Sequence, residues 1–482
     1  MFFILIAYFS LLLILSKFTS KKDGNDAFYR GERKSSWQMV AYGMIGASIS
    51  GVSFVSVPGM VMYQDMTYLQ TCFGFIIGYF IVAFVLLPIY YRLNLTSIYE
   101  FLVSGSNSNE RKAASLCFVV SDLLGSAVKF FLVCAILQNF VFEELGVPFV
   151  ATVPLMVAFI WLYTKRGGVK TLVYTDVFQT TFMLAALVGI IITLWLILKA
   201  DITSESLWYN ILNSNHFRIF EFNDYLSTQN FWKQLLSGAF IVVVMTGLNQ
   251  NMMQKNLTCK TLKAAQKDMS LLGFLFVPVN FLFLVLGVML LLWIEQCGMT
   301  MPAKGDDLLP QFIQSEGSLL LKVLFVLGIV SAAFSSADSS LTALTTSVCV
   351  DVAEKEHDVK LRKRVHIGIS LLFVMVVYAL QYFGSKSLID LVYVLVSYTY
   401  GPLLGMFGYK LYNEWRKVKT SSSNSLISLV AVCLFAPLFC YALNSFCAAQ
   451  YGYIFGYELL LVNGFVTFSC LKLLNILLKR QK

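Results

Sequence analysis

The hydroxyl side chains and the single carboxylate between Ser331 and Ser347 are the residues of this chain best suited to chemistry. They follow an apolar run from Leu319 to Val330 that contains one lysine, and apolar residues resume at Val348. Buried without partners, such groups cost on the order of one to several kcal/mol each, which a helix that only anchors the chain has no reason to bear. Hydroxyl oxygens combined with a carboxylate suit a small, hard cation. The segment therefore predicts an ion-binding helix in a membrane.

The spacing of the polar residues in this segment indicates that they line one functional face of the helix. Ala332, Ser335, Ser336 and Ser339 follow an i, i+3, i+4, i+7 pattern and share one helix face. Small and hydroxyl residues also allow helices to pack closely, which is the simpler explanation for any one of them. Their density, together with Asp338, favours a functional surface.

A second unusual segment runs from Ala41 to Gly59 and contains Gly46, Gly51 and Pro58. Glycine costs about 1 kcal/mol in a helix interior, and proline removes a hydrogen-bond donor. The pattern predicts either a kinked helix or a break that frees backbone carbonyls where they line a cavity or an ion site.

The depths of the two segments can be compared. At about 1.5 Å per residue, Gly46–Ile49 lies roughly 12–16 Å from the inner surface. Ser335 and Ser336 lie roughly 25 Å from the outer surface of a core about 30 Å thick. The two segments are therefore expected to meet in the inner half of the membrane.

Two further ionisable residues fall within apolar stretches. Asp176 lies just inside the sixth span, where it would be a solvated or capping residue, a cation ligand, or a gate. Lys129 lies about 15 residues into the fourth span, too deep to reach the interface comfortably. It would either pair with Asp122, two turns away, or bind an anionic group of a substrate.

The elements that position these residues are predicted from composition. The chain has 482 residues, 58% of them hydrophobic and 13% charged, whereas soluble domains carry roughly 25% charged residues. The sequence predicts an all-α membrane protein, a single transmembrane domain over residues 1–482. About 13 spans are expected: 1–17, 38–64, 71–91, 115–140, 149–165, 172–199, 232–252, 270–296, 318–350, 365–384, 389–413, 425–444 and 453–477.

Basic residues recur in every second loop, which predicts a topology with the N-terminus outside and the C-terminus in the cytoplasm. The clusters are Lys21, Lys22, Arg30, Arg33 and Lys34; Arg92, Arg111 and Lys112; Lys165, Arg166 and Lys170; Lys255, Lys260, Lys263 and Lys267; Lys360, Arg362, Lys363 and Arg364; Lys410, Arg416, Lys417 and Lys419; and Lys479, Arg480 and Lys482. The net charge of +9 thus indicates topology in a bilayer with anionic lipid, and not a nucleic-acid partner. A multi-pass protein of the plasma (inner) membrane is expected.

Enzymatic motifs are absent from the sequence. His216, His357 and His366 form no metal-binding set, and no H-E-x-x-H, G-x-S-x-G or P-loop pattern occurs. The ten cysteines show no C-x-x-C pairs; Cys297 and Cys447 lie near outer loops and would either pair or remain free thiols. We expect no enzyme and no metal other than a coupling ion.

Five segments, in this order, resemble the sodium/solute symporter family, which includes sodium-coupled sugar, proline, pantothenate, iodide and sialic acid transporters. They are G-A-S-I-S-G-V-S-F-V-S-V-P-G, R-G-G-V-K-T-L-V-Y-T-D-V-F-Q, G-L-N-Q-N-M-M-Q-K, S-A-A-F-S-S-A-D-S-S-L and G-P-L-L-G-M-F-G. The resemblance covers about Tyr29 to Tyr412. It implies the LeuT-type fold: two inverted five-helix repeats at 38–199 and 232–413, a leading helix and inner loop at 1–37, and trailing helices at 425–482. The first core helix of this fold is broken.

The resemblance also implies ligands for Na⁺, the expected coupling ion. A common sodium site would use the carbonyls of Gly46, Ile49 and Ala332 with the hydroxyls of Ser335 and Ser336. A second ion site, present in only some members, would use Asp176, Ser335, Asp338 and Ser339. Here Asp338 replaces a hydroxyl residue, which leaves the charge and occupancy of that second site open.

Substrate in this family lies beside the break in the second span. The candidates are Ser48, Ser50, Ser53, Phe54, Gln70, Lys129 and Asn249. Sialic acid transporters place an arginine of the fourth span on the substrate carboxylate, and Lys129 lies in a similar region, although a lysine binds less directionally. The glutamine of sugar transporters corresponds to Ser53, so glucose-like specificity is not expected.

The predicted function is sodium-coupled import of a small polar solute, anionic if Lys129 binds it, by alternating access. The alternatives are a proton-coupled or sodium-independent transporter of the same fold, or a symporter-like sensor. A sensor normally carries a signalling domain, which this sequence lacks. The expected partners are the solute, sodium and the lipid bilayer, in a monomer or weak oligomer.

Overall fold

The computed structural model describes residues 2–19, 24–103, 108–201, 204–381, 388–417, 424–453 and 455–480. Within these ranges the chain forms helices and no β-strand. The α-helices are α1 (Phe2–Thr19), α2 (Asn25–Arg30), α3 (Trp37–Ser48), α4 (Gly51–Gln64), α5 (Tyr68–Ile81), α6 (Leu87–Arg92), α7 (Asn109–Leu137), α8 (Phe149–Thr164), α9 (Val169–Asp201), α10 (Ser204–Leu212), α11 (Phe231–Val242), α12 (Gln250–Asn256), α13 (Leu262–Cys297), α14 (Leu308–Glu316), α15 (Leu319–Ser347), α16 (Val359–Leu380), α17 (Leu388–Thr399), α18 (Gly401–Trp415), α19 (Leu426–Tyr451) and α20 (Leu459–Arg480). Short π-type segments follow α5, α7, α11 and α15 at Val82–Leu86, Gln138–Phe142, Val243–Gly247 and Val348–Val352. Short 3₁₀ segments lie at Gly31–Arg33, Ile98–Leu102, Glu143–Leu145 and Gly305–Asp307.

The predicted all-α membrane fold is confirmed. By length and apolar composition, the described residues contain 9 helices able to cross a membrane, or up to 11 if two bent pairs each count as one span. The predicted fifth span corresponds to α8, which is apolar but has only 16 residues. The predicted eleventh span is divided into α17 and α18 at Tyr400. The count of 13 spans and the repeat boundaries therefore stay predictions. Lys21, Lys22, Lys419 and Lys482, which contributed to the predicted topology, lie outside the described residues.

The break predicted in the second span is present. Helix α3 ends at Ser48 because Ile49 is extended, with φ −88° and ψ 94°. Ser50 then caps α4, its hydroxyl accepting a hydrogen bond from the Ser53 amide. The two helices are bent by 60°. Because the last four carbonyls of an α-helix have no partner within the helix, this bend leaves backbone oxygens of α3 free inside the membrane.

A second break, which was not predicted, divides the seventh span. Helix α11 continues through Val243–Gly247, and Leu248 then interrupts it before α12. The Asn249 side chain caps α12 by accepting a hydrogen bond from the Asn251 amide at 2.8 Å. The two parts are bent by 71°. Each predicted repeat thus begins with a broken helix, and the two breaks supply the non-helical backbone of the core.

Helix α15 runs through the centre of this core and packs against α3, α4, α7, α9 and α12. Two glycines permit the close approach of its neighbours. A Cβ added at Gly46 would meet the Thr180 side chain of α9, and a Cβ added at Gly51 would lie 3.1 Å from the Ala333 Cβ of α15. The residues from Leu341 to Ser347 are buried without exception, so the polar segment of α15 faces protein and not lipid.

Candidate ion and solute site

The break in the second span lies directly against the polar segment of α15. Gly51, just after the break, is so close that an added Cβ would lie 3.3 Å from the carbonyl oxygen of Ile329. Ile49 and Ala332 are fully buried. The structure therefore packs the first break against α15, the helix that carries Ala332, Ser335 and Ser336; their joint role as a sodium site stays a prediction. An oxygen-rich set of this kind suits a hard cation.

One hydroxyl of that set already has a partner. Ser335 Oγ donates a hydrogen bond to Asp176 Oδ1 at 2.6 Å, from α15 to α9. The other oxygen, Asp176 Oδ2, lies 2.6 Å from Lys255 Nζ of α12. Asp176 and Lys255 are each 1% exposed. Asp176 is therefore neither a solvated residue nor a helix cap; it belongs to an ion pair buried at the centre of three helices.

Asp338 lies one turn further along α15 and is also fully buried. Tyr163 Oη donates to its Oδ2 at 2.7 Å, and Ser339 Oγ donates to its Oδ1 at 3.0 Å. Ser339 Oγ is also 2.8 Å from the carbonyl oxygen of Ser335. The structure thus joins Asp176, Ser335, Asp338 and Ser339 in one polar cluster, with Lys255 and Tyr163 as members that the sequence interpretation missed.

A cavity of about 90 Å³ adjoins the break. It lies between α3, α5, α7, α11, α12, α13 and α15. Its lining consists of Ala47, Ser48, Phe75, Tyr79, Asp122, Ser126, Lys129, Ile241, Val242, Met245, Thr246, Asn249, Asn251, Met252, Phe276 and Ser336. Ser336, a candidate sodium ligand, thus also lines this cavity.

Several polar groups in this cavity have no partner in the protein. Among the described residues, the Ser48 hydroxyl, Asp122 Oδ2 and Asn251 Oδ1 are buried. None of these three atoms has a partner with hydrogen-bond geometry. No described carboxylate forms an ion pair with Lys129, and the Asp122 pairing considered from the sequence is not seen as a direct contact. Because buried polar groups are normally satisfied, this set is suited to a polar ligand or to ordered water.

Asp122 is nevertheless held in position. Asn249 Nδ2 lies 3.5 Å from its Oδ1 and donates to Tyr400 Oη at 2.8 Å. Asn251 Nδ2 donates to Ser340 Oγ of α15 at 2.8 Å. The second break therefore contributes amides that link α7, α15 and α18 around the cavity.

Four of the substrate candidates do not line this cavity. Ser50 and Ser53 lie at the cap of α4. Phe54 packs edge-on against Phe283, with ring centroids 5.4 Å apart.

Gln70 lies elsewhere, under the loop before α11. Its amide nitrogen donates to the Gln229 carbonyl at 2.9 Å and to Gln234 Oε1 at 3.1 Å, and its Oε1 accepts from the Glu221 amide at 3.0 Å. Gln70 thus ties the start of α5 to that loop. Ser48, Lys129 and Asn249 are the candidates that the structure brings together.

Two basic residues used to predict topology are not loop residues. Lys255 is in α12 and is buried, and Arg362 is fully buried with its guanidinium 4.6 Å from the centre of the Phe28 ring. The sequence interpretation grouped Lys255 with Lys260 and Lys263 because the span was expected to end before it. A signal was present, since Lys255 follows the uncharged amides of Asn249 to Gln254 and no acidic residue is near it in sequence.

A group of ion pairs lies at the start of α7. Arg111 Nε lies 2.8 Å from Asp351 Oδ1, and Arg111 Nη2 lies 3.3 Å from Glu100 Oε1. Lys112 pairs with Glu354 at 3.0 Å. Burial raises the pKa of the Glu100 carboxyl, and the Arg111 guanidinium opposes this effect. These contacts join the start of α7 to the segment that follows α15.

Solved structures match this fold over nearly its whole length. A Na⁺-coupled sialic acid symporter in a substrate-bound outward-open state aligns with a TM-score of 0.80 and 19% identity, covering 99% of this chain and 97% of the other. The nucleobase-cation-symport-1 family transporter MHP1, in a closed conformation, aligns with a TM-score of 0.56 and 13% identity, covering 96% and 95%. At these identities the likeness shows a shared transporter fold.

Curated relatives are similar in sequence. The chain is 25% identical to the human sodium/iodide cotransporter over 402 residues, 79% of this chain and 60% of the relative. It is 25% identical to human sodium-coupled monocarboxylate transporter 2 over 404 residues, 80% and 63% respectively. It is 22% identical to the sodium/sialic acid symporter SiaT of Proteus mirabilis (strain HI4320) over 458 residues, 89% and 88%. The chain thus spans about three fifths of the length of the two human relatives.

The sequence model described as "SSF: Sodium:solute symporter family" matches residues 28–422. This range includes both helix breaks, the polar segment of α15 and the cavity described above. The relatives and the structural neighbours are transporters and not enzymes. This chain is a multi-pass membrane protein of the sodium:solute symporter family.

Proposed function

We propose that the protein is a sodium-coupled secondary active symporter that imports a small polar solute bearing an anionic group. Sodium would bind at Gly46, Ile49, Ala332, Ser335 and Ser336, and the solute in the cavity beside Ser48, Lys129 and Asn249. The observation that supports this proposal is that Ser336, a candidate sodium ligand, also lines the cavity. A bound sodium ion would fix the break against α15 and thereby shape the cavity, which couples the two ligands.

The energetics of such coupling are sufficient for accumulation. With one sodium ion and a solute that carries one negative charge, no net charge crosses the membrane, so a tenfold sodium gradient alone supplies the driving force of about 1.4 kcal/mol. This supports a solute concentration ratio of about tenfold per sodium ion, whereas a solute without net charge would also gain about 2.3 kcal/mol per 100 mV. A single coupling ion is therefore enough to drive uptake.

The chemistry of the cavity supports the solute class. The Lys129 ammonium would bind a carboxylate or another anionic group as a point charge. Unpaired Asp122 Oδ2 would accept a hydrogen bond from a hydroxyl or amine at the other end of the solute. The cavity of about 90 Å³ has room for a small solute.

The orientation and setting are part of the same proposal. Basic inner loops support a plasma-membrane protein with the N-terminus outside and the C-terminus in the cytoplasm. We infer a monomer or weak oligomer, in which each chain holds its own ion and solute sites. Cleavage of the basic loops by a protease added outside intact cells would contradict this orientation.

The test is a thermal-unfolding screen of the purified protein against short carboxylates, hydroxy acids, amino acids, sugars and sialic acids, each in sodium and in potassium. A ligand that raises the melting temperature only in sodium supports the proposal, because binding to the folded state stabilises it by mass action. A ligand that stabilises equally in potassium would contradict sodium coupling. It would favour the alternative of a proton-coupled or sodium-independent transporter.

A further inference from the structure

The buried ion pair between Asp176 and Lys255 occupies the position that the family resemblance implies for a second sodium ion. Asp176 accepts a hydrogen bond from Ser335 on one oxygen and contacts Lys255 Nζ at 2.6 Å on the other. Both carboxylate oxygens are therefore engaged by groups of the protein. A sodium ion at this position would have to displace the ammonium from a fully buried site.

We propose that the Lys255 ammonium is a built-in cation that takes the place of the second sodium ion, so that one sodium ion binds per transport cycle. This inference rests on the proposed sodium symport. It assigns a role to a residue on α12, directly after the break in the seventh span, and it makes Lys255 the residue that determines the sodium stoichiometry.

The balance of buried charge supports this assignment. Asp338 interacts electrostatically with both Asp176 and Lys255, and all three side chains are buried. With both carboxylates ionised, Lys255 and one sodium ion at the common site bring the total to zero. A second sodium ion would leave an uncompensated positive charge at membrane depth, which is strongly unfavourable.

The geometry around Asp338 points the same way. Its two oxygens accept hydrogen bonds from Tyr163 and Ser339 at 2.7 and 3.0 Å, and the Ser339 hydroxyl is 2.8 Å from the carbonyl oxygen of Ser335. The side-chain oxygens that would coordinate a second sodium ion are thus hydrogen-bonded to one another or to Tyr163, or lie against the Lys255 ammonium. Removing the ammonium while keeping the volume of the side chain would release Asp176 as a ligand.

The experiment counts sodium ions bound per protein by equilibrium binding of ²²Na⁺ to the purified full chain, for the unaltered protein, for Lys255→Met, and for Lys255→Met combined with Asp176→Asn. Methionine is of similar length and carries no charge. We expect one ion for the unaltered protein, two for Lys255→Met, and one again for the double variant, which has lost both the ammonium and the released carboxylate. The sodium dependence of thermal unfolding, measured on the same samples, confirms that each variant is folded.

Two ions bound to the unaltered protein would overturn the inference, since the position would then accept sodium with Lys255 present. One ion bound to folded Lys255→Met would overturn the role assigned to the ammonium. If Lys255→Met does not fold, the number of sodium ions bound to the unaltered protein still shows whether one or two ions bind. No sodium bound to the unaltered protein would contradict the proposed function itself, a result distinct from both.

Discussion

Lys255 and Lys129 face the same polar core, yet one ammonium is paired and the other is not. Lys255 contacts Asp176 at 2.6 Å, and a serine satisfies the remaining carboxylate oxygen. Lys129 lines a cavity together with Asp122, but the two do not touch, and one oxygen of Asp122 has no partner. We therefore propose different roles for these similar residue types: the closed pair would supply structure and charge balance, and the separated pair would leave both charges for a ligand.

The difference follows from the helices that carry the residues. Lys129 and Asp122 lie two turns apart on the same helix, α7, so their backbone separation is fixed at about 10.5 Å. Lys255 and Asp176 lie on α12 and α9, which pack together and allow direct contact. A fixed separation on one helix leaves a gap that a small solute can bridge, whereas two packed helices can close the gap completely.

The largest expected effect is at the closed pair. Asp176→Asn leaves a buried ammonium without its partner and is expected to lower the free energy of unfolding by about 3–5 kcal/mol. Asp176→Asn combined with Lys255→Met removes both charges and should cost far less, because apolar or neutral replacement of a buried pair is often nearly neutral. Chemical unfolding in detergent measures both. An equal loss in the single and double variants would show that the pair contributes no charge compensation.

The separated pair should respond in binding and not in stability. Lys129→Met is expected to weaken solute binding by about 10- to 100-fold, because a hydrogen bond to a charged group contributes about 1.5–3 kcal/mol. The free energy of unfolding should remain unchanged or rise, since an unpaired charge is removed from the membrane interior. Lys129→Arg is the matched control and should retain part of the affinity. Full affinity in Lys129→Met would place the anionic group of the solute elsewhere.

The smallest expected effects are at two serines of the first break, where Ser48 should affect solute binding and Ser50 should affect stability. Ser48→Ala removes an unpaired hydroxyl of the cavity and should weaken solute binding by about 2- to 10-fold, corresponding to about 0.5–1.5 kcal/mol. Ser50→Ala removes the cap of α4 and should lower stability by about 1 kcal/mol with little change in solute affinity. Isothermal titration and thermal unfolding of the two variants distinguish them. The reverse pattern would place the solute on the α4 side of the break.

Local sequence patterns predicted either a kink or a break in the second span, and the structure has a break at Ile49. Glycines and a proline make that part of the helix locally unfavourable, and a carboxylate within an apolar segment needs partners in the protein. The functional role of the α15 face and the membrane depths of the two segments stay predictions.

Partners across the fold were not predictable in the same way. Lys255 was read as a loop residue because the seventh span was expected to end before it, and the amides that precede it do not by themselves show that the span bends and continues past Asn249. Gln70 and Phe54 were proposed near the solute, but the rotation of α5 and α4 directs them to the loop before α11 and to Phe283. Helix rotation and tertiary contacts set these roles, and a single sequence carries little information on either.

The most direct test of the account is sodium binding at the meeting point of the break and α15. Uptake of a solute identified in the thermal screen would be measured in proteoliposomes with an inward sodium gradient, for the unaltered protein and for Ser335→Ala combined with Ser336→Ala. The account predicts that the double variant is produced and folded at normal levels but loses sodium-dependent uptake. Unchanged sodium-driven uptake in that variant would contradict the assignment of the common sodium site to α15.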